Sequence, residues 1–230
     1  MTNSTNESQS APHDPDWIQA LGDHIEHHIG PVANVIQEMV SDVVRIDLFL
    51  IEPDESRDYF TLVTCGMSSR PMDVPITDPD DLVLAPRRRY AELVLALPPT
   101  WPIYSDLLRE EDYFWPIRWL KRIARLPHLY SDWVATGVTI PNGNPPQPVA
   151  PSTELCSFLL HEPMLFPEEF RTLQREEQII NFYSLVPLYE DELNFKIANK
   201  TDKLTQLFTQ HQVTELVQPN RPHLPVGTAP

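Results

Sequence analysis

The sequence predicts an α+β domain in which a mixed, largely antiparallel sheet is flanked by helices. Segments with helical periodicity lie towards both ends of the chain, whereas apolar runs rich in β-branched residues occupy its middle. Proline supplies 25 of the 230 residues, about twice its usual share of roughly 5%. Because proline begins or ends helices and strands, this frequency indicates short elements joined by rigid loops.

The first element is predicted to be a helix over residues 14–29. Asp14 is suited to cap this helix, and Pro15 fits its first turn. Its apolar stripe recurs every four residues and consists of Trp17, Leu21, Ile25 and Ile29. A second, short helix is predicted over residues 32–40.

Five strands are predicted from apolar runs bounded by turn-forming residues. They cover residues 43–51, 59–65, 90–97, 155–160 and 178–186. The first three are separated by turn-rich loops, which favours an antiparallel meander. Two helices are expected to close the domain, over residues 189–198 and 202–211, and Thr201 is the predicted N-cap of the last one.

A longer helix is predicted between the third and fourth strands, over residues 112–125. Trp115, Trp119 and Ile123 recur every four residues in this segment. We therefore expect both tryptophans on the buried face of the helix, in the core of the domain.

The two ends of the chain differ from the middle. Residues 1–15 are polar and lack periodicity, which predicts a disordered tail. Residues 218–230 are rich in proline and are expected to form an extended tail. The folded domain is therefore predicted over residues 16–217, and this length is sufficient for one hydrophobic core.

Composition narrows the function classes. The net charge is −16, from 33 acidic and 17 basic residues, which argues against binding nucleic acid or an anionic membrane and favours a protein partner, which could be basic. The chain has no long apolar run and no signal-peptide pattern, so a cytoplasmic location is predicted. Cys65 and Cys156 are then expected to be buried, unpaired thiols.

The motif search predicts neither a metal nor a cofactor. His24, His27 and His28 lie on one predicted helix without further ligands, so we interpret them as part of its solvent-exposed face. The pair at residues 161–162 lacks the second histidine of a zinc-protease motif. Only six glycines occur in the chain, and none forms a phosphate-binding loop. The acidic run at residues 190–192 is expected to complement a helix N-terminus.

Seven of the 17 basic residues are clustered in two short stretches. The candidate partner-binding residues are Arg87, Arg88, Arg89, Arg118, Lys121, Arg122 and Arg125. The last four share one face of the predicted tryptophan helix, opposite the tryptophans. Two interpretations remain open for this face, a solvated helix surface and a positive contact surface on an acidic protein.

Several strings of residues resemble the suppressor of fused family, in order and over about residues 25–222. They are YFTLVTCGMSSRPMDVP (59–75), YAELVLALPPTWP (90–102), WPIRWLKRIARLPHLYSDW (115–133), TIPNG (139–143) and INFYSLVPLYEDELNFKIANKTDKL (180–204), with Arg221-Pro222 after them. One position departs from the pattern. Bacterial members usually have histidine after the glycine that precedes TIPNG, and this chain has Val138.

The resemblance implies a non-catalytic protein-binding domain. The eukaryotic member clamps a peptide of a transcription factor between two lobes, and this chain looks like the N-terminal lobe alone. Similar bacterial members are linked to toxin systems as immunity proteins, so neutralisation of a toxin is the leading hypothesis. Two alternatives remain: a regulator that sequesters a bacterial transcription factor or kinase, and an enzyme whose site assembles from residues such as His128, Asp132 and Glu162.

Overall fold

The computed structural model describes residues 15–38 and 43–227, and within them eight strands form one sheet. The strands are β1 (Val32–Ile36), β2 (Asp47–Ile51), β3 (Phe60–Cys65), β4 (Tyr90–Leu97), β5 (Thr139–Pro141), β6 (Ser157–His161), β7 (Thr172–Arg175) and β8 (Gln178–Leu188). The helices are α1 (Pro15–His28), α2 (Asp81–Arg87), α3 (Glu111–Tyr130), α4 (Glu190–Asn199) and α5 (Thr201–His211). None of these described helices has the length and apolar character needed to cross a bilayer.

The sheet is mixed. Its strand order is β1-β2-β3-β4-β8-β6-β5, and β7 also pairs with β8. The paired strands are antiparallel except β4 and β8, which run parallel with Tyr90 opposite Ile180 and Val94 opposite Ser184. This largely antiparallel sheet with flanking helices confirms the predicted fold class.

Both faces of the sheet are buried. Successive side chains of a strand point to opposite faces, so one strand contributes to the core on each side. In β2, Leu48 and Leu50 join the core beneath α3, whereas Phe49 and Ile51 join the core beneath α1. A third cluster packs α5 against β6 and β8. The sequences of the central strands are therefore continuously apolar and do not alternate between apolar and polar residues.

The tryptophan helix is confirmed as α3 and is longer than predicted. Trp115 and Trp119 are 0% and 2% exposed. The ring of Phe158 in β6 lies 6.2 Å and 5.2 Å from their ring centroids, respectively. Both tryptophans are core residues, as the four-residue spacing predicts.

The prediction of a helix over residues 32–40 is wrong for residues 32–38, which are the part that the structure describes. Val32–Ile36 is strand β1, and it pairs antiparallel with β2. Three of its five residues are β-branched, and pairing with the sheet decides the conformation. Only Asp47–Ile51 of the predicted strand at 43–51 is extended within the sheet. Residues 39–42 and the predicted cap Asp14 lie outside the described residues.

Three described elements are absent from the sequence prediction. β5 and β7 are short and their residues are not consistently apolar, and α2 has Pro86 near its end. The predicted N-cap Thr201 is instead the first residue of α5. The capping position belongs to Lys200, whose φ of 68° makes the sharp turn between α4 and α5.

The C-terminal segment, which the sequence predicts to be an extended tail, contains neither helix nor strand over residues 218–227 and packs on the domain. Leu224 and Val226 are buried against α5 and β6. The Arg221 side chain reaches Glu192 of α4, and its two terminal nitrogens donate to the carboxylate over 2.6 Å and 2.5 Å. This buried ion pair fastens the segment to α4.

A buried carboxylate in β4 holds the turn that follows β3. Glu92 is fully buried and accepts hydrogen bonds from the Thr64 hydroxyl (2.5 Å), from the backbone nitrogens of Gly66 and Ser68 (3.0 Å each) and from the Ser68 hydroxyl. Trp17 of α1 donates to the same Ser68 hydroxyl. Burial raises the pKa of Glu92, although its hydrogen bonds act in the opposite direction.

Replacement of Trp119 by alanine should destabilise the domain by roughly 3–5 kcal/mol, because the deleted ring leaves a cavity in the core. Urea denaturation measures the loss. Trp119→Phe is the matched control, since it keeps most of the volume and removes an indole N–H that has no partner among the described residues. A melting temperature within about 2 °C of wild type for Trp119→Ala would contradict the packing, because 1 kcal/mol shifts it by roughly 2–4 °C at this size.

Replacement of Glu92 by glutamine should alter the pH dependence of stability. A carboxyl whose pKa is raised on folding contributes stability below its unfolded value, 4.5, and loses that contribution as the pH rises through the folded value. The unfolding free energy of Glu92→Gln, minus that of wild type, should therefore increase as the pH rises above about 4.5. The control is Glu177→Gln at an exposed site, and a difference that stays constant for Glu92→Gln contradicts the assignment.

Candidate functional site

The predicted basic face of α3 is largely engaged with the domain itself. Lys121 donates to the backbone oxygen of Ile36 (3.4 Å), and Arg125 pairs with Glu38 and donates to the backbone oxygen of Val44 (3.3 Å). These two residues therefore bind Ile36, Glu38 and Val44 to α3.

The other two basic residues of this face differ in their contacts. Arg118 pairs with Glu111 and donates to the backbone oxygen of Val149 (2.9 Å). Arg122 is exposed, with its guanidinium 4.6 Å from the centroid of the Trp119 ring. Within α3, Arg122 is thus the candidate that is most available to a partner.

The arginine triad, Arg87–Arg89, lies between α2 and β4. Its backbone is fixed, because Asn181 donates to the oxygen of Arg87 (2.8 Å) and the Met72 nitrogen donates to the oxygen of Arg89 (2.6 Å). Arg87 and Arg89 are exposed, and Arg88 is half-buried. None of the three forms an ion pair with the described part of the chain.

Arg88 lines a cleft of about 360 Å³, which we call the arginine cleft. It opens where β8 changes neighbours, because β7 pairs with residues 178–181 and β6 with residues 184–188 on the same side of β8. The remaining lining residues are Trp133, Ala135, Thr136, Glu162, Arg171, Thr172, Asn181, Phe182 and Tyr183. Arg171 pairs with Glu162 over 2.8 Å, so Arg88 is the cationic group of this cleft that forms no ion pair with the described residues.

The three residues named for an enzyme site do not all line the arginine cleft. Glu162 lines the arginine cleft, whereas His128 and Asp132 do not. The Nε2 atom of His128 lies 2.9 Å from the backbone oxygen of Met67, and burial lowers the pKa of this histidine. Asp132 accepts a hydrogen bond from the following backbone nitrogen. The hypothesis of an enzyme built from these three residues therefore gains no geometric support.

A second cavity has the opposite charge and lies where β8 meets α4. This acidic groove has a volume of about 510 Å³ and is lined by Pro146, Pro148, Glu154, Cys156, Tyr189, Glu190, Asp191, Asn194 and His223. His223 stacks on Tyr189 with ring centroids 3.8 Å apart. Its nitrogens lie 3.0 Å from an Asp191 oxygen and 3.7 Å from a Glu154 oxygen. The groove is thus surrounded by three carboxylates and one histidine.

Neither cysteine is an activated nucleophile. Cys65 and Cys156 are free and buried, as predicted. Burial, reinforced by the carboxylates of residues 190–192, raises the pKa of Cys156 to about 11. Burial also raises the pKa of Cys65. Because the thiolate is the reactive form, both side chains are protonated and inert near neutral pH.

The histidines of α1 are less exposed than predicted. His24 is half-buried, and its ring stacks against Phe170 and Phe182 at centroid distances of 5.6 Å and 5.0 Å. One ring nitrogen lies 3.0 Å from the backbone oxygen of Phe170, and burial lowers the pKa of His24. The predicted solvent face is therefore wrong for this residue, which supports the packing of α1 instead. Residues 15–38 and 43–227 contain no group of three or more His, Cys, Asp or Glu side chains that could hold a metal ion.

Dialysis against EDTA should leave the melting temperature unchanged, because His24 is engaged with Phe170 and a closed metal site needs about four converging ligands. Thermal denaturation before and after dialysis measures this. A drop of several degrees that added zinc reverses would contradict the prediction.

Comparison with solved structures shows a shared fold. A suppressor of fused homologue from Neisseria gonorrhoeae is 16% identical, with a TM-score of 0.60 and coverage of 90% of this chain and 96% of that chain. The Sufu–Fu complex gives 14% identity, a TM-score of 0.60 and coverage of 93% of both chains. Drosophila Suppressor of Fused gives 15% identity and a TM-score of 0.55, and the match covers 86% of this chain and 50% of that one.

Sequence comparison gives the family. A search of curated proteins found no match. The family model for suppressor of fused protein matches residues 42–222, which include the strings of residues that carry the resemblance. Because this match spans well over half of the 230 residues, the chain belongs to the suppressor of fused family.

Proposed function

We propose that this chain is a non-catalytic protein-binding module that acts in the cytoplasm as an immunity protein and neutralises a basic toxin. The suppressor of fused family is a protein-interaction family, and one of the similar structures is a complex of Sufu with Fu. The buried, protonated thiols support a role without catalysis.

The acidic groove carries the proposal. Glu154, Glu190 and Asp191 surround a cavity large enough for a lysine or arginine side chain. Charge-assisted hydrogen bonds from such a cation to carboxylates are stronger than neutral ones. The net charge of −16 adds attraction at longer range, which accelerates association with a basic partner.

The groove is also rigidly built on one side. Glu192, which follows the groove residues, is completely buried and paired with Arg221. The Arg221 guanidinium lies 4.9 Å from the centroid of the Tyr189 ring, and His223 covers the same ring. Asp191 contacts His223 and accepts from the Glu192 nitrogen, so its carboxylate is held in place before a partner arrives, which lowers the entropy cost of binding.

Co-expression with the toxin domain encoded by a neighbouring gene tests the proposal. Wild-type protein should restore growth, and the purified pair should associate more slowly as salt is added. The double variant Glu154→Lys/Asp191→Lys should associate at least about tenfold more slowly at low salt. Glu55→Lys/Glu177→Lys makes the same change in net charge at exposed sites outside the groove and is the matched control. Failure of wild-type protein to restore growth, or equal rates for both double variants, would refute the proposal.

A further inference from the structure

The short helix α2 exposes an apolar surface. Leu82 and Val83 are 64% and 67% exposed, and Leu84 and the preceding Ile76 are exposed as well. Ala85 is the buried residue of this helix. Contiguous aliphatic side chains of this kind are uncommon on protein surfaces unless they form an interaction site.

The arginine triad continues this apolar surface directly. At a rise of about 1.5 Å per residue, Leu82 and Arg88 lie within roughly 10 Å of each other along the helix. Arg88 forms no ion pair with the acidic residues at the start of α2, although its charge adds to the hydrogen bonds from Thr77 that lower the pKa of Asp81. An aliphatic patch therefore borders three arginines that form no ion pair with the described part of the chain.

The arginine cleft offers hydrogen-bond donors beside Arg88. Thr136, Thr172, Tyr183 and Trp133, which each carry a side-chain donor, line it, and none of these donors is hydrogen-bonded to the described residues. The Arg171 side chain adds a buried Nε that has no partner there. Such a set of donors fits an oxyanion, and a guanidinium matches the geometry of a carboxylate.

We propose that α2 and the arginine cleft form a second docking surface, which binds an acidic protein segment that also carries aliphatic residues. A carboxylate of the segment enters the cleft at Arg88, while its aliphatic side chains pack on Leu82 and Val83. The partner is a protein rather than a nucleic acid, because phosphates alone would leave the aliphatic patch uncovered. This surface differs in position and charge from the acidic groove, so the two proposals can fail independently.

Selection from a displayed library of random dodecamer peptides tests this proposal on the full chain. The enriched peptides should contain Asp or Glu next to Leu, Ile or Val. Synthetic copies of these peptides should bind the Arg88→Glu and Val83→Ser variants about tenfold more weakly than they bind wild type, as expected when a central anchor is removed. Arg109→Glu is the matched control, because Arg109 is exposed, lies outside this surface and gives the same change in charge. The Arg109→Glu variant should bind the peptides with the same affinity as wild type.

Three results would overturn the proposal. They are the absence of enrichment, the enrichment of basic peptides, and equal affinity of wild type and Arg88→Glu. Sedimentation of the free protein tests whether a second copy of the chain covers the surface instead. A dimer that dissociates on Val83→Ser would show that it does and would contradict the proposal. Val83 is exposed and makes little contact with the core, so its variant should melt like wild type and remain informative even if Arg88→Glu folds poorly.

Discussion

The parallel pairing of β4 with β8 is the contact on which the rest of the sheet depends. β4 is the last strand of the antiparallel series β1 to β4, and β8 pairs with β6 and β7. A parallel pair needs a long crossover, and α3 lies in the crossover here and covers one face of the sheet. The register places Glu92 opposite Phe182. The residue that fixes the turn after β3 is therefore a direct neighbour of the floor of the arginine cleft.

β8 also positions the two charged surfaces relative to each other. The arginine cleft forms at Asn181–Tyr183, where the strand changes neighbours, and the acidic groove begins at Tyr189, where it ends. At about 3.3 Å per residue, these points are roughly 25 Å apart along the strand. One strand thus separates the arginine cleft from the acidic groove.

Local periodicity was sufficient to predict the strongly patterned elements. The stripe of α1, the tryptophans of α3 and the apolar run of β4 all follow from residue spacing, because each has enough apolar residues to determine its own buried face. β1 was mistaken for a helix, since its conformation depends on pairing with β2. β5 and β7 are too short for a pattern, and only their pairing with β6 and β8 makes them strands.

The sites were harder to predict than the fold. Sequence spacing grouped Lys121 and Arg125 with Arg118 and Arg122 as one positive face, although the structure uses the first two to bind the chain near β1 and β2. The acidic groove combines Glu154, Asp191 and His223, which are distant in sequence, and no local signal brings them together. The pair of Glu192 and Arg221 joins residues that are 29 positions apart, and residue spacing does not predict it.

The buried pair of Glu192 and Arg221 has a consequence for synthesis on the ribosome. Burial of an ionised carboxylate without its counter-ion is strongly unfavourable, so α4 cannot settle onto the sheet until Arg221 has left the exit tunnel. His223, which forms part of the groove wall, emerges still later. A chain that stops before His223 therefore lacks this wall of the acidic groove, and we expect it not to compete for a partner that uses the groove.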